Sequence, residues 1–276
     1  MEAFRAFLYV RSMPSTPVDL SPFPVVREIR EPQFGALVHP DWAHAFSWLV
    51  QGTTTRYSGD EHPFDLGLFA ERSQPESARR RWRALREGLG GDRVVHAHQV
   101  HGADVRVHRE VHASGDDPEL VDDCDGHVAD TPGVLLAVTT ADCVPVFVVD
   151  PERRAVAALH AGWRGAASGV LERGIDVMVS SFLSRPGDLL VHLGPAICGT
   201  CYEVGPEVFE ALNQEVPAGP EPIDLRRVLA ARAVRSGVRD ARISVSAHCT
   251  KCTDSGLFSH RAGHGERQAG FIGVRR

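Results

Sequence analysis

With 276 residues, 43% of them hydrophobic and 24% charged, the chain can bury a large core, which excludes a disordered or collagen-like protein. Thirty basic residues against 36 acidic ones leave a formal net charge of −6, so no global positive field recruits nucleic acid or an anionic membrane, and neither is expected as a partner. The basic side chains are 29 arginines and one lysine, Lys251, which argues against Schiff-base or P-loop chemistry, whereas 14 histidines and six cysteines supply metal ligands and thiol nucleophiles.

The first thirteen residues carry Arg5 and Arg11 in a short apolar stretch without the uninterrupted apolar run of an export signal, and no 18-residue apolar run follows. A cytoplasmic protein with reduced cysteines is expected. Pro14, Pro17, Pro22, Pro24 and Pro32 predict an extended or partly disordered segment over 1–35, ahead of one domain over 36–276. A helix is predicted from Ser73: Pro75 and Glu76 suit its first turn, Trp82, Leu85 and Leu89 share a face, and Gly88, Gly90 and Gly91 end it. Apolar runs at Val134–Val138, Val144–Val149 and Ala155–His160 predict strands, the last two joined across 150–154 as a β-hairpin. A glycine-rich turn over 161–165 leads into one helix with Ala167, Val170, Leu171, Ile175, Met178 and Phe182 on the same side. Leu189–Leu193 and Ile243–Val245 predict further strands, and Asp224 the N-cap of a helix reaching Val234. Interleaved helices and a hairpin make the class α+β with mixed rather than all-parallel sheets.

The hairpin makes a geometric prediction. If Val149 opposes Ala155 or its neighbour, Cys143 and His160 meet at the open end on one face, with Cβ atoms roughly 4.5–5.5 Å apart, close enough for a shared metal or a thiol–imidazole contact. A slip of one residue would put them on opposite faces. His96, His98 and His101 crowd into six residues; in an extended segment the first two share a face, and Gly102 lets His101 be aimed elsewhere, but spacing alone does not choose among them. Asp142, beside Cys143, either orients a ligand or moves a proton, or simply caps the turn. Gly162 and Gly165 permit close backbone approach at a helix N-terminus and Arg164 can fork onto a phosphate, so this segment is a candidate anion cradle; the alternative is a tight turn with Arg164 paired elsewhere. Two Cys-x-x-Cys pairs, Cys198/Cys201 and Cys249/Cys252, are separated by 47 residues, far beyond the roughly 15–20 of a zinc ribbon, so a zinc site there would have to be assembled by the fold.

The motifs His98-Gln-Val-His-Gly102, Thr140-Ala-Asp-Cys-Val-Pro-Val146, His160-Ala-Gly-Trp-Arg-Gly165, Gly194-Pro-Ala-Ile197 with Cys201-Tyr-Glu-Val204, and Phe258-Ser-His-Arg261 resemble, in order and spacing from about Gly52 onward, those of the bacterial laccase-domain family. Members of that family have been labelled multicopper polyphenol oxidase, purine nucleoside phosphorylase and peptidoglycan editing factor. The resemblance implies a single-domain αββα-layered sandwich similar to the toxin deamidases, and a zinc site made of His101, Cys143 and His160, with copper as the alternative metal. It also implies that Arg56 and Arg261 line the substrate pocket. Two departures, Asp65 where the family commonly has asparagine and an arginine run around Arg81 where it has Asn-Arg, bear on substrate preference.

Three functions follow as expectations. The first is a zinc-dependent purine nucleoside enzyme, phosphorolysing adenosine, inosine or methylthioadenosine to base and ribose 1-phosphate and deaminating adenosine, with catalysis resting on Cys143, His160 and His101 and binding on Arg164, Arg56, Arg261 and Gly162. The second is an amide hydrolase of cell-wall precursors with Cys143 as nucleophile and His160 as base. The third, least favoured, is a copper polyphenol oxidase, because a laccase needs several copper centres and only one ligand set can be assembled. A small molecule is the expected partner in each.

Overall fold

The computed structural model describes residues 23–69, 75–109 and 117–276. Two seven-stranded mixed sheets dominate. The first runs, edge to edge, Val25–Val26, Ile243–Ser246, Leu190–Leu193, Val144–Asp150, Ala155–Ala161, Gly126–Ala129 and Val105–His108; the second runs Ile29–Arg30, Leu37–Val38, Leu49–Thr53, Gln268–Val274, Val134–Thr140, Arg93–Ala97 and Glu119–Val121.

The period-2 alternation of strand side chains explains the layering. Val144, Val146 and Val148 point to the side where the helices Val170–Phe182 and Leu225–Arg235 bury Ile175, Met178 and Leu229, while Phe147 and Val149 of the same strand point to the other sheet. In the second sheet Leu136, Val138 and Ile272 face inward against Phe147, and Leu135, Ala137 and Phe271 face out under Trp82 and Leu85 of the helix Pro75–Gly88. Helix, sheet, sheet and helix therefore stack in four layers. Glycine makes the inter-sheet approach close: a Cβ on Gly270 would lie 2.7 Å from Pro145 Cβ, so the two sheets can meet here only without one.

Most predicted elements form, and three differ. The helical run after 161–165 is two helices, Trp163–Ala167 and Val170–Phe182, because Gly169 takes φ = 87° between them. The hairpin strands run to Asp150 and from Ala155, leaving a four-residue connection whose amides at Glu152 and Arg153 donate to Asp150 Oδ1. The start of the arginine-rich helix at Ser73 lies outside the described residues, as do residues 1–22 of the N-terminal segment. The described part of that segment is extended and packs within the fold: Val25–Val26 pairs with Ile243–Ser246, Ile29–Arg30 with Leu37–Val38, and between them Glu28 is buried, accepting from His192 Nε2 at 2.9 Å. Asp224 caps its helix as expected, accepting from Arg226 N. Among the described residues no helix is long and apolar enough to cross a membrane.

Several histidines belong to this core rather than to a site. Burial holds His39, His96 and His108 down at about 4, and His127 well below the ordinary imidazole range. Unfolded, each takes up a proton near pH 6.5, so between pH 6.5 and 4 the unfolded chain binds more protons and stability falls as pH falls. Four such groups give a slope on the order of 5 kcal/mol per pH unit near pH 5. Urea midpoints measured at pH 7, 6 and 5 should drop steeply across this window; a constant midpoint would contradict neutral buried imidazoles.

Candidate active site

The site lies at the open end of the hairpin, where the two sheets part. His160 opposes Pro145 rather than Cys143, which sits just before its strand, opposite Gly162. The offset is two residues, so the expected direct pairing becomes a diagonal one on the same face, and the two side chains still converge. His101 joins them from the loop after Arg93–Ala97: its Nε2 is 4.0 Å from Cys143 Sγ, its ring centroid is 4.8 Å from that of His160, and the three ligand atoms lie within 4.8 Å of one another.

Asp125 organises both histidines. Its fully buried carboxylate accepts the Nδ1 proton of His160 (2.8 Å) and the backbone N–H groups of Val100, His101 and Gly102 (3.1, 3.0 and 2.7 Å). The first bond leaves His160 Nε2 free to face the cleft, and the other three fold the 100–102 turn in which His101 takes φ = 59°. Gln99 anchors the same turn through bonds to the backbone of Thr139. Burial would raise the Asp125 pKa, but His160 and the three amides outweigh it and hold the carboxyl below its usual range. For Cys143 burial likewise opposes ionisation, yet the positive His160 and the hydrogen bond to His101 bring the thiol down to about 6. His160 is pushed up to about 9 against its own burial, by the Cys143 charge and by Asp125. Gly162 matters for space: a Cβ there would come within 3.0 Å of Cys143 Sγ and 2.9 Å of His101 Cδ2, filling the gap between the two side chains.

These residues open onto a pocket of about 630 Å³. Arg164, Arg261 and Arg267 line it together with Phe69, Trp163 and Tyr202. Arg164 lies over the Trp163 ring at 4.2 Å, and no carboxylate pairs with it among the described residues, so the tight-turn alternative with a salt-bridged arginine is not the one adopted. The helix behind it has only five residues, so an anion held here would meet the guanidinium rather than a helix dipole. Arg261 donates to Glu203 O and lies over Tyr202 at 5.2 Å. Arg56 departs from expectation: it is not in the pocket wall, because its guanidinium donates to Leu257 O and packs over Phe258, supporting the 257–258 segment from behind.

Asp142 also resolves: it takes φ = 94°, and its carboxylate accepts from Thr250 Oγ1 and Arg261 N, making it an anchor for the facing loops. His98 stands on the pocket rim with Asp123, and His96 is buried against Trp82. Asp65 Oδ1 accepts from Gly67 N and Arg267 N, two pocket-lining residues, and its backbone oxygen from Arg81, so both departures from the family pattern act on the pocket wall from behind. Asp125, Gln99, Tyr202 and Arg267 were not foreseen. Asp125-Gly126 reads locally as a turn, and nothing in its neighbourhood marks the carboxylate as the partner of a histidine 35 residues away.

Two sheets flanked by helices, with one cysteine, two histidines and three arginines around one cleft, define a four-layered α+β domain whose pocket holds a set of side chains able to take a metal ion. Residues 50–275 match the family described as multi-copper polyphenol oxidoreductase laccase, and the chain belongs to that family. It is 34% identical over 255 residues to a protein named purine nucleoside phosphorylase YlmD from Geobacillus stearothermophilus, spanning 84% of this chain and 93% of the relative. It is 34% identical over 192 residues to adenosine deaminase RL5 from an unknown prokaryotic organism, spanning 64% of this chain and 73% of the relative. The crystal structure of the Bacillus licheniformis hypothetical protein YfiH superposes with a TM-score of 0.79 at 28% identity, covering 92% of this chain and 100% of that one.

Proposed function

We propose that the chain is a cytoplasmic purine nucleoside enzyme that cleaves adenosine, inosine and methylthioadenosine by phosphorolysis and deaminates adenosine. The observation that carries this reading is the joining of two sets of groups in one pocket: the His101–Cys143–His160 donors and the guanidinium groups of Arg164, Arg261 and Arg267. The names of the relatives support purine nucleosides as the substrate class.

The donor set suits zinc, with copper the alternative metal: one sulfur and two nitrogens are borderline-soft, three protein ligands leave a position open, and Gly162 keeps the space between them clear. When bound, zinc supplies Lewis acidity and activates water, which serves deamination at C6 of the purine. Asp125 keeps the proton on His160 Nδ1, so that Nε2 stays available as a ligand. Arg164 and Arg261 would hold phosphate against the sugar, neutralising its charge as an oxygen bonds to the anomeric carbon and the C–N bond breaks with its electron pair going to the base. Trp163, Tyr202 and Phe69 offer aromatic surface for a purine.

Adenosine turnover in phosphate and in phosphate-free buffer tests the proposal. Adenine and ribose 1-phosphate should form only with phosphate, and inosine in both; zinc-loaded protein that releases no base in phosphate would overturn the phosphorolysis. A second reading, amide hydrolysis with Cys143 as nucleophile and His160 as base, is favoured by the thiol drawn down to about 6 beside an imidazole raised to about 9. The copper oxidase reading finds little support, since the other ligand cluster among the described residues is all cysteine.

A further inference from the structure

We propose that Cys198, Cys201, Cys249 and Cys252 form a second metal centre, a closed tetrathiolate site holding one zinc ion that fixes the two loops forming a wall of the pocket. The 47 residues between the pairs are no obstacle, because the fold spans them. Leu190–Leu193 and Ile243–Ser246 are adjacent parallel strands, so the loops leaving their C-terminal ends run side by side, joined by a bridge between Ala196 and Cys249 and by Thr250 N donating to Ala196 O. The four sulfurs lie within 4.8 Å of one another, with Cys198 Sγ 3.7 Å from Cys252 Sγ. Zn–S bonds of about 2.3 Å at tetrahedral angles place sulfurs about 3.8 Å apart.

The backbone supplies an independent argument. The buried Cys249 Sγ accepts three amide N–H groups, from Cys198 at 3.3 Å, Lys251 at 3.4 Å and Cys252 at 3.5 Å. A neutral thiol is a weak acceptor, whereas a metal-bound thiolate carries the charge that such a ring of donors stabilises. Thr253 locks the turn by accepting from Cys249 N at 3.1 Å and donating to Cys249 O at 2.6 Å. All four cysteines are free of disulfides. Zinc binding would displace the thiol protons to solvent and form four Zn–S bonds with no change of oxidation state.

Four protein ligands leave no open position, so this centre has a structural role, distinct from the three-ligand set of His101, Cys143 and His160. Its place explains what it would hold. Cys201 immediately precedes Tyr202 of the pocket wall, and Thr250 of the second loop donates to Asp142, whose other oxygen receives the amide of Arg261.

Elemental analysis of the full chain, zinc-loaded and then dialysed, provides the test. The parent should hold two zinc ions per chain, Cys198→Ser/Cys252→Ser should lose half of the bound zinc, and His101→Ala/Cys143→Ser should keep one equivalent. Cobalt loaded into the latter variant should give the intense thiolate-to-cobalt charge-transfer absorption of a tetrathiolate. The proposal is overturned if the folded Cys198→Ser/Cys252→Ser variant retains the parent stoichiometry, or if iron fills the site in place of zinc. It is equally overturned if His101→Ala/Cys143→Ser binds no metal and the thiols of Cys198, Cys201, Cys249 and Cys252 react freely in the native state. That last arm decides the matter even where the double cysteine variant fails to fold.

Discussion

Asp125→Ala is expected to weaken metal binding by about 10- to 100-fold and to destabilise the fold by roughly 3 kcal/mol or more. The first effect comes from His160, which loses the acceptor that fixes its tautomer and orientation. The second comes from the 100–102 turn, where three backbone donors lose their shared acceptor and His101 loses the support for its left-handed conformation. Asp125→Asn separates the two. It nearly preserves shape but replaces one accepting oxygen with an NH2 group, which faces an N–H wherever it is placed, so it should recover part of the stability and little of the affinity. Competition with a chelating dye reads the affinity, and urea unfolding of the metal-free protein reads the stability. If Asp125→Ala kept the parent affinity, the carboxylate would not be the partner that orients the ligand set.

Cys143→Ala is expected to lower turnover of nucleoside by at least about 10³-fold, on the order of 4 kcal/mol of transition-state stabilisation. The core does not depend on this half-buried sulfur, so the variant should fold, and its loss of activity reports on chemistry. The substitution alone does not tell a ligand from a nucleophile, because both readings need the thiolate. Metal removal does: stripping the parent with a chelator should reproduce the loss, and zinc should restore it. Amide hydrolysis by stripped protein, abolished by alkylation of Cys143, would instead support the cysteine hydrolase. A Cys143→Ala protein that keeps both nucleoside turnover and amide hydrolysis at the parent rate would sink both.

What the sequence carried by itself was local. Alternation of apolar residues is a property of the extended backbone, so Val144–Val149 and Ala155–His160 could be read as paired strands whose shared face brings Cys143 toward His160. Asp224 could be read as a cap because capping spans three residues, and the motifs around His101, Cys143 and His160 pointed to a family and its ligand set. Even there the register came out at one end of the expected range, with Val149 opposite Val156, which makes Cys143 and His160 a diagonal pair rather than a direct one, because the length of the turn sets a choice that periodicity leaves open.

Only the tertiary structure decided the rest. It recruited Asp125 to His160 across 35 residues, turned Arg56 away from the pocket toward Leu257 and Phe258, and gave Arg267 a place in the wall. It also drew together two cysteine pairs that their separation had argued against, because adjacent parallel strands deliver their following loops to the same end of a sheet however long the chain between them. Spacing along a chain constrains residues within a few turns of one another; beyond that, which groups meet depends on which strands pair and how the sheets stack.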